Sequence, residues 1–186
     1  MSTWRDGRRL LTERLRDSNL SNESFVTELI SNPPASVPGT TVFLSGNPLG
    51  TPLALCQNVI HNRVLHERNI ILAVQTAEIP HVPGQQRLES EKIGEDFYRA
   101  TLTYGFMEVP DVPRDHLPAT SFGTWTDRQP VSYFVGKETL LATPRSGMYM
   151  WRESLFAFMS RNAQSATLFF HLPAEQVVEV GVQVEL

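Results

Sequence analysis

The chain has 186 residues, 41% of them hydrophobic and 19% charged, with a formal net charge of −4 and one cysteine, Cys56. This size and apolar share suit one hydrophobic core and exclude a disordered chain; the acidic balance excludes a general nucleic-acid binder, and a lone cysteine excludes an internally stapled secreted scaffold and fits a reducing compartment. The longest apolar run, Ile70 to Val74, is far shorter than the roughly 20 residues of a membrane helix, and the charge-interrupted start lacks the hydrophobic stretch of a signal peptide, so the sequence reads as a cytosolic chain.

The charge is unevenly spread. Residues 1–16 hold Arg5, Arg8, Arg9, Arg14 and Arg16 against Asp6 and Glu13, five cations less two anions, so this arm is +3 and the remainder −7. Parts of such different balance face different surroundings or each other. Leu10, Leu11 and Leu15 give the arm a short apolar stripe, which fits a solvated helix face. Trp4 followed by Arg5, Arg8 and Arg9 also fits a membrane-proximal segment, with the ring at the interface and the cations on the cytoplasmic side.

The predicted elements begin with a helix from about Thr3 to Arg16 and a second from Glu23 to Ser31. For the second, Asn22 is the N-cap, Phe25, Val26, Leu29 and Ile30 the buried face, and Pro33-Pro34 the stop. Asn32 to Gly39, rich in Pro and Ser, reads as an extended connection, dividing the chain into a basic helical arm with its linker (residues 1–36) and an α/β body (residues 37–186). The body opens on a buried strand, Thr41 to Ser45. Thr51 as N-cap and Pro52 at the first helical position start a helix with Leu53, Cys56, Val59 and Ile60 as its apolar face. Asn69 to Gln75 is a second buried strand, and strand, helix, strand is the sequence form of a parallel βαβ unit.

Arg87 to Ile93 and Phe97 to Phe106 alternate polar and apolar residues around Gly94-Glu95-Asp96, which predicts a β-hairpin. Pro110, Pro113, Pro118 and Pro130 predict a short helix followed by a long surface loop. Val131 to Val135 reads as a strand. Trp151 to Arg161 reads as a helix with Trp151, Leu155, Phe158, Met159 and Asn162 toward the sheet. Val178 to Glu185 is a period-two strand. The fold class is therefore α/β: a mixed sheet with a βαβ unit, a β-hairpin and flanking helices, preceded by an N-terminal helical arm.

The loop after the first strand, Ser45 to Thr51, is the first candidate for phosphate binding. It fails the P-loop test, because Gly46 and Gly50 stand one position too close and no lysine follows, and it lacks the middle glycine of a dinucleotide fingerprint. What remains is a glycine-containing turn at a helix N-terminus, where Gly46, Asn47, Gly50 and Thr51 offer backbone N–H groups to an anion or a nucleotide phosphate. A plain strand-to-helix turn is the alternative.

His61 and His66 are five residues apart, the wrong spacing for two ligands on one helix face, and no metal site follows from them. His61 fits a helix C-terminus with Asn62 as cap. Cys56 lies on an apolar face and reads as an inert thiol. His81, His116 and His171 stand alone. Asn162 and Ser165 read as helix-end caps or as a ligand-binding turn. No catalytic residue, metal or cofactor is expected, and a free-standing enzyme ranks last because no nucleophile–base pair is visible.

Five segments, Gly39–Leu44, His61–Arg68, Tyr104–Pro113, Trp151–Thr167 and Val177–Glu185, together with Trp4-Arg5 and Arg8-Arg9-Leu10-Leu11, closely resemble in order the C-terminal cytoplasmic domain of bacterial KUP-type potassium uptake transporters. The resemblance implies a proton-coupled potassium uptake protein of the inner membrane, of which this chain is the cytoplasmic tail. Permeation and coupling residues would then lie in membrane helices, so none maps here. The segment 118–130, with Phe122, Trp125 and Asp127, departs from the family pattern. The implied role is regulatory or structural, with the transporter's membrane domain as partner, the arm near anionic lipid and no nucleic acid. A homodimer is expected, with the C-terminal valine strand offering an edge or face. A second expectation is a nucleotide sensor, since some related bacterial transporters respond to cyclic di-adenylate. Here the turn Gly46 to Thr51 would take that ligand or an adenine nucleotide.

Overall fold

The computed structural model describes residues 22–116, 131–141 and 166–185. The expected helices at Thr3–Arg16 and Trp151–Arg161, the arm residues Trp4, Arg5, Arg8 and Arg9, the caps Asn162 and Ser165, and the 118–130 loop lie outside them. The described elements are α1 (Asn22–Ser31), β1 (Ala35–Ser45), α2 (Leu53–Asn62), β2 (Val64–Ala77), a 3-10 turn (Gly84–Gln86), β3 (Leu88–Lys92), β4 (Phe97–Gly105), α3 (Val112–His116), β5 (Val131–Leu141), α4 (Ala166–Phe169), a second 3-10 turn (Ala174–Gln176) and β6 (Val177–Glu185).

The strands form one mixed sheet in the order β3-β4-β2-β1-β5-β6. β1 pairs in parallel with both β2 and β5, β2 with β4, and β5 with β6; only β3 runs antiparallel, against β4. The expected βαβ unit is β1-α2-β2 and the expected hairpin is β3-β4. Between the parallel strands β2 and β4 the return stroke is made by β3 in the plane of the sheet, where a parallel pair is usually joined by a helix.

β1 begins at Ala35, inside the stretch that reads as a linker, because Ala35–Val37 pair with Val64–His66. A register shift between Val37 and Thr40 takes up one extra residue, with Gly39 at φ 120°. An L side chain rarely adopts that backbone conformation. Beyond it Thr40, Thr41, Val42 and Phe43 are all buried, as a central parallel strand requires.

The alternation of β1 divides the core in two. Val42 faces the side holding Ile70, Leu72, Leu102, Tyr104, Tyr133 and Leu172, covered by α3 through Val112 and by residues 166–172. Phe43 faces the other side with Ile71, Phe97 and Phe134, covered by α1 through Leu29 and by α2 through Ala54 and Leu55. Phe43 and Phe134 meet as tilted rings with centroids 5.1 Å apart. Each large side chain fully buried here is worth about 1.5–3 kcal/mol.

α2 is rotated from the expected face: Ala54, Leu55 and Asn58 are buried, whereas Ile60 is 57% exposed. Asn58 fixes the rotation. Its Nδ2 donates to the carbonyl of Val64 at 2.9 Å, and its Oδ1 accepts from Asn62 Nδ2 at 2.8 Å, so one buried amide closes the turn from α2 into β2. The N-cap is Pro52, one residue later than expected, and makes no side-chain cap bond. The C-cap is Arg63 in the left-handed region (φ 53°, ψ 34°), with its N–H donating to Val59 O, where the sequence pointed to Asn62. Cys56 is partly buried in this helix, and burial raises its thiol pKa.

Two substitutions at this turn have opposite expected signs. Asn58→Ala removes the buried donor to Val64 O and the acceptor of Asn62 Nδ2, and lowers unfolding free energy by about 1–3 kcal/mol. Arg63→Gly relieves the left-handed residue and raises it by about 1 kcal/mol. Denaturant midpoints of the two variants check both.

Candidate functional site

β1 has β2 on one side and β5 on the other, and the chain leaves β1 through α2 toward β2. The crevice beyond the carboxyl ends of β1 and β5 is therefore the topological switch point, where α/β sheets of this kind bind ligands. The loop from Ser45 to Pro52 sits there and holds all four residues singled out by sequence, Gly46, Asn47, Gly50 and Thr51. Gly46 and Asn47 are exposed, while Gly50 and Thr51 are buried.

The loop directs several of its N–H groups to its own oxygens. Ser45 Oγ donates to Asn47 O at 2.7 Å and accepts from Asn47 N–H at 3.3 Å. Leu49 N–H donates to Asn47 Oδ1 at 3.1 Å, and Gly50 N–H to Asn47 O at 3.1 Å. The Leu49 bond closes an Asx turn, the Asn47 N–H bond to Ser45 Oγ its serine counterpart, and the Gly50 bond a β-turn. Three N–H groups of the kind an anion would draw on, those of Asn47, Leu49 and Gly50, are thus engaged within the turn. Asn47 fixes its shape.

A second feature at the carboxyl end was not evident in the sequence. An open cleft of about 450 Å³ lies over the ends of β2 and β4, lined by Thr76, Tyr104, Glu108, His171 and the backbone around Gly105. Its rim carries exposed Phe106, Val109, Leu168 and Phe169. The segment leaving β2 crosses directly over the end of β4: a Cβ on Gly105 would stand 2.1 Å from Pro80 O, so only glycine fits. Phe106 N–H donates to Ile79 O at 3.0 Å and Met107 N–H to Pro80 O at 3.2 Å.

Glu108 ties this crossing together. Its Oε2 accepts from Gly105 N–H at 2.6 Å and Val82 N–H at 3.1 Å. Its Oε1 pairs with Arg87 Nη2, while Arg87 Nη1 reaches Asp115 Oδ2 at 3.0 Å. The Arg87 guanidinium lies 5.1 Å from the Tyr104 ring centroid. The two backbone N–H bonds, aided by the charge of Arg87, lower the Glu108 pKa. Burial raises the Tyr104 pKa well above its usual value, and Asp115 adds to the shift. Arg87, Glu108 and Asp115 come from three separate segments. Of the three, only Glu108 lay in a segment the sequence singled out, the run Tyr104-Gly105-Phe106-Met107-Glu108 within the family resemblance.

At the amino end of the sheet a small cavity of about 70 Å³ lies between α1 and the body, lined by Leu29, Ser36, His66, Asn69 and Asp96 among others. Asn69 is buried; its Nδ2 donates to His66 O at 2.7 Å and its Oδ1 accepts from His66 N–H at 3.2 Å. Burial lowers the His66 pKa. His61 stands apart, its Nε2 2.9 Å from Gln57 Oε1, and His171 Nδ1 lies 2.8 Å from Pro110 O. Among the described residues no three His, Cys, Asp or Glu side chains are grouped to hold a metal ion, and no helix is long and apolar enough to cross a membrane.

Residues 38–186 match the family model described as K+ potassium transporter C-terminal domain. The chain belongs to this family. Its relatives include proteins named "Probable potassium transport system protein Kup" from Xanthomonas campestris pv. campestris strain 8004, 46% identical over all of this chain and 29% of the relative, and from Myxococcus xanthus, 45% identical over all of this chain and 28% of the relative. A protein named "Probable potassium transport system protein Kup 1" from Geobacter sulfurreducens is 46% identical over all of this chain and 30% of the relative. The chain thus spans less than a third of the length of these relatives. No solved structure matches it.

The Glu108 arrangement has a definite pH signature. Because the folded pKa lies below the ordinary 4.5, the stability Glu108 contributes is complete above about pH 4.5 and is lost as the pH falls through the lowered folded value. Glu108→Gln is expected to melt lower than the parent at pH 7, with the gap closing toward pH 3. Thermal unfolding at several pH values checks this.

Proposed function

We propose that the chain is the cytoplasmic C-terminal domain of an inner-membrane potassium uptake protein coupled to protons, and that it regulates or assembles the transporter. The observation that carries this reading is the family match over residues 38–186, joined by Kup relatives that align along the whole chain. The fold is consistent with it. The carboxyl-end cleft is braced by an ion-pair network and rimmed by exposed apolar side chains, which suits contact with another protein surface more than chemistry.

In this reading residues 1–36 form the arm and linker, and residues 37–186 the cytosolic body. Trp4, Arg5, Arg8 and Arg9 lie near the bilayer, where each cation contributes about 1 kcal/mol of attraction to anionic lipid. The domain acts by moving or by pairing as a homodimer, with the transporter's membrane part as its partner.

A second reading is favoured by one observation: the loop holding Gly46, Asn47, Gly50 and Thr51 lies at the switch point of the sheet. There the domain would sense cyclic di-adenylate or an adenine nucleotide. The bonds already made by Asn47, Leu49 and Gly50 mean that a phosphate would have to displace the Asx turn.

Potassium uptake by cells expressing the full transporter without residues 37–186 tests the first reading. Reduced uptake at unchanged protein level is expected; unchanged uptake at unchanged level overturns it. Calorimetric titration of cyclic di-adenylate, ATP and ADP tests the second. Heat that grows in Asn47→Ala, which releases the Leu49 N–H from the Asx turn, supports it, and no heat at high micromolar ligand removes it.

A further inference from the structure

The two edges of the sheet are built differently. β3 at one edge has five residues and carries Glu89, Glu91 and Lys92, the short, charged form that keeps an edge from pairing with another chain. β6 at the other edge has nine, Val177-Val178-Glu179-Val180-Gly181-Val182-Gln183-Val184-Glu185, with no lysine and no proline. Its Val178 is 42% exposed. Its charges are Glu179 and Glu185 alone, and among the described residues no strand pairs with its outer edge.

We propose that β6 pairs antiparallel with β6 of a second copy of this chain, about a two-fold axis at Gly181. The proposal rests on the homodimer named above and identifies its interface. The strand is close to palindromic. With Gly181 opposite Gly181, Val180 faces Val182, Glu179 faces Gln183, Val178 faces Val184 and Val177 faces Glu185, so all nine residues pair and no like charges meet. Moving the axis to Val182 would set Glu179 opposite Glu185, and moving it to Val180 would leave the last two residues unpaired.

Cross-strand valine pairs stabilise such a ladder, and like charges directly opposite destabilise it. Val180 already packs beside the Phe43–Phe134 cluster, so the paired strands would extend that apolar face from one copy into the next. The fit is to a second copy in particular, because a strand that complements its own reverse is what an isologous interface needs.

The test uses the full transporter in native membranes. Facing residues of an antiparallel pair have Cα atoms about 4.5–5.5 Å apart, within the roughly 4.4–6.8 Å that a disulfide spans. A Cβ at Gly181 meets nothing within 4 Å, so Gly181→Cys fits the fold. On mild oxidation Gly181→Cys is expected to give a covalent dimer on a non-reducing gel, whereas the parent and Glu89→Cys on the β3 edge give none.

As a second measurement, light scattering over a dilution series in mild detergent compares charge variants. Gln183→Glu, which sets two carboxylates against each other twice per dimer, is expected to raise the dimer dissociation constant about threefold to tenfold, while Gln183→Lys keeps or lowers it. A dimer that neither cross-links at Gly181→Cys nor responds to Gln183→Glu overturns the β6 assignment and leaves pairing intact. Equal cross-linking at Gly181→Cys and Glu89→Cys also overturns the assignment. A transporter that is monomeric at every concentration overturns the homodimer itself.

Discussion

β1 has a parallel neighbour on each side, and a strand so placed must be covered on both faces. That constraint accounts for the layout of the domain. Val42 and Phe43 point in opposite directions, and each needs its own apolar layer, one under α3 and residues 166–172 and the other under α1 and α2. It also makes the carboxyl end of β1 a place where the chain must turn away in a set direction, which puts the Ser45–Pro52 loop at the switch point.

Parallel strands need long returns, and two of them lie wholly within the described residues. Between β1 and β2 the return is α2, closed by the Asn58 amide and by Arg63 in the left-handed region. Between β2 and β4 it is β3, lying in the sheet, so the segment leaving β2 has to cross the end of β4 before β3 can begin. The close approach of Pro80 to Gly105, the Glu108 carboxylate bonded to two backbone N–H groups, and Arg87 bridging Glu108 and Asp115 all serve that crossing. These groups shape the cleft at the carboxyl end. Tyr104 is buried beside the guanidinium, and burial together with Asp115 raises its pKa although Arg87 acts the other way.

The charge is divided along the chain, +3 over residues 1–16 and −7 over the remainder. Among the described residues, exposed Phe106, Val109, Leu168 and Phe169 gather at the cleft and Val178 lies on edge strand β6, while Leu49, Ile60 and Ile79 are exposed elsewhere; an apolar cluster such as that at the cleft is where further protein can add to the fold.

The type and order of nearly every described element were legible in the sequence, because hydrophobic period, prolines and glycines are local signals. The apolar runs of β1 and β2, the alternating hairpin strands and the valine strand β6 each carry their pattern in consecutive residues. The family resemblance was legible too, and the match over residues 38–186 bears it out. Local signals gave less about boundaries: Ala35–Val37 read as linker, yet they extend β1 because β2 supplies a partner. They also misplaced the buried face of α2, since Asn58 is turned inward by a bond to Val64 rather than by its own polarity. At the carboxyl end of the sheet, the sequence named the four loop residues Gly46, Asn47, Gly50 and Thr51 as candidates, while the cleft with Arg87, Glu108 and Asp115 was not legible in it. What the sequence alone determined is the alphabet of elements and their family. Only the tertiary structure decided the placement of β5 beside β1, the switch-point crevice and the ion-pair network, because each depends on groups far apart in the chain meeting at one place.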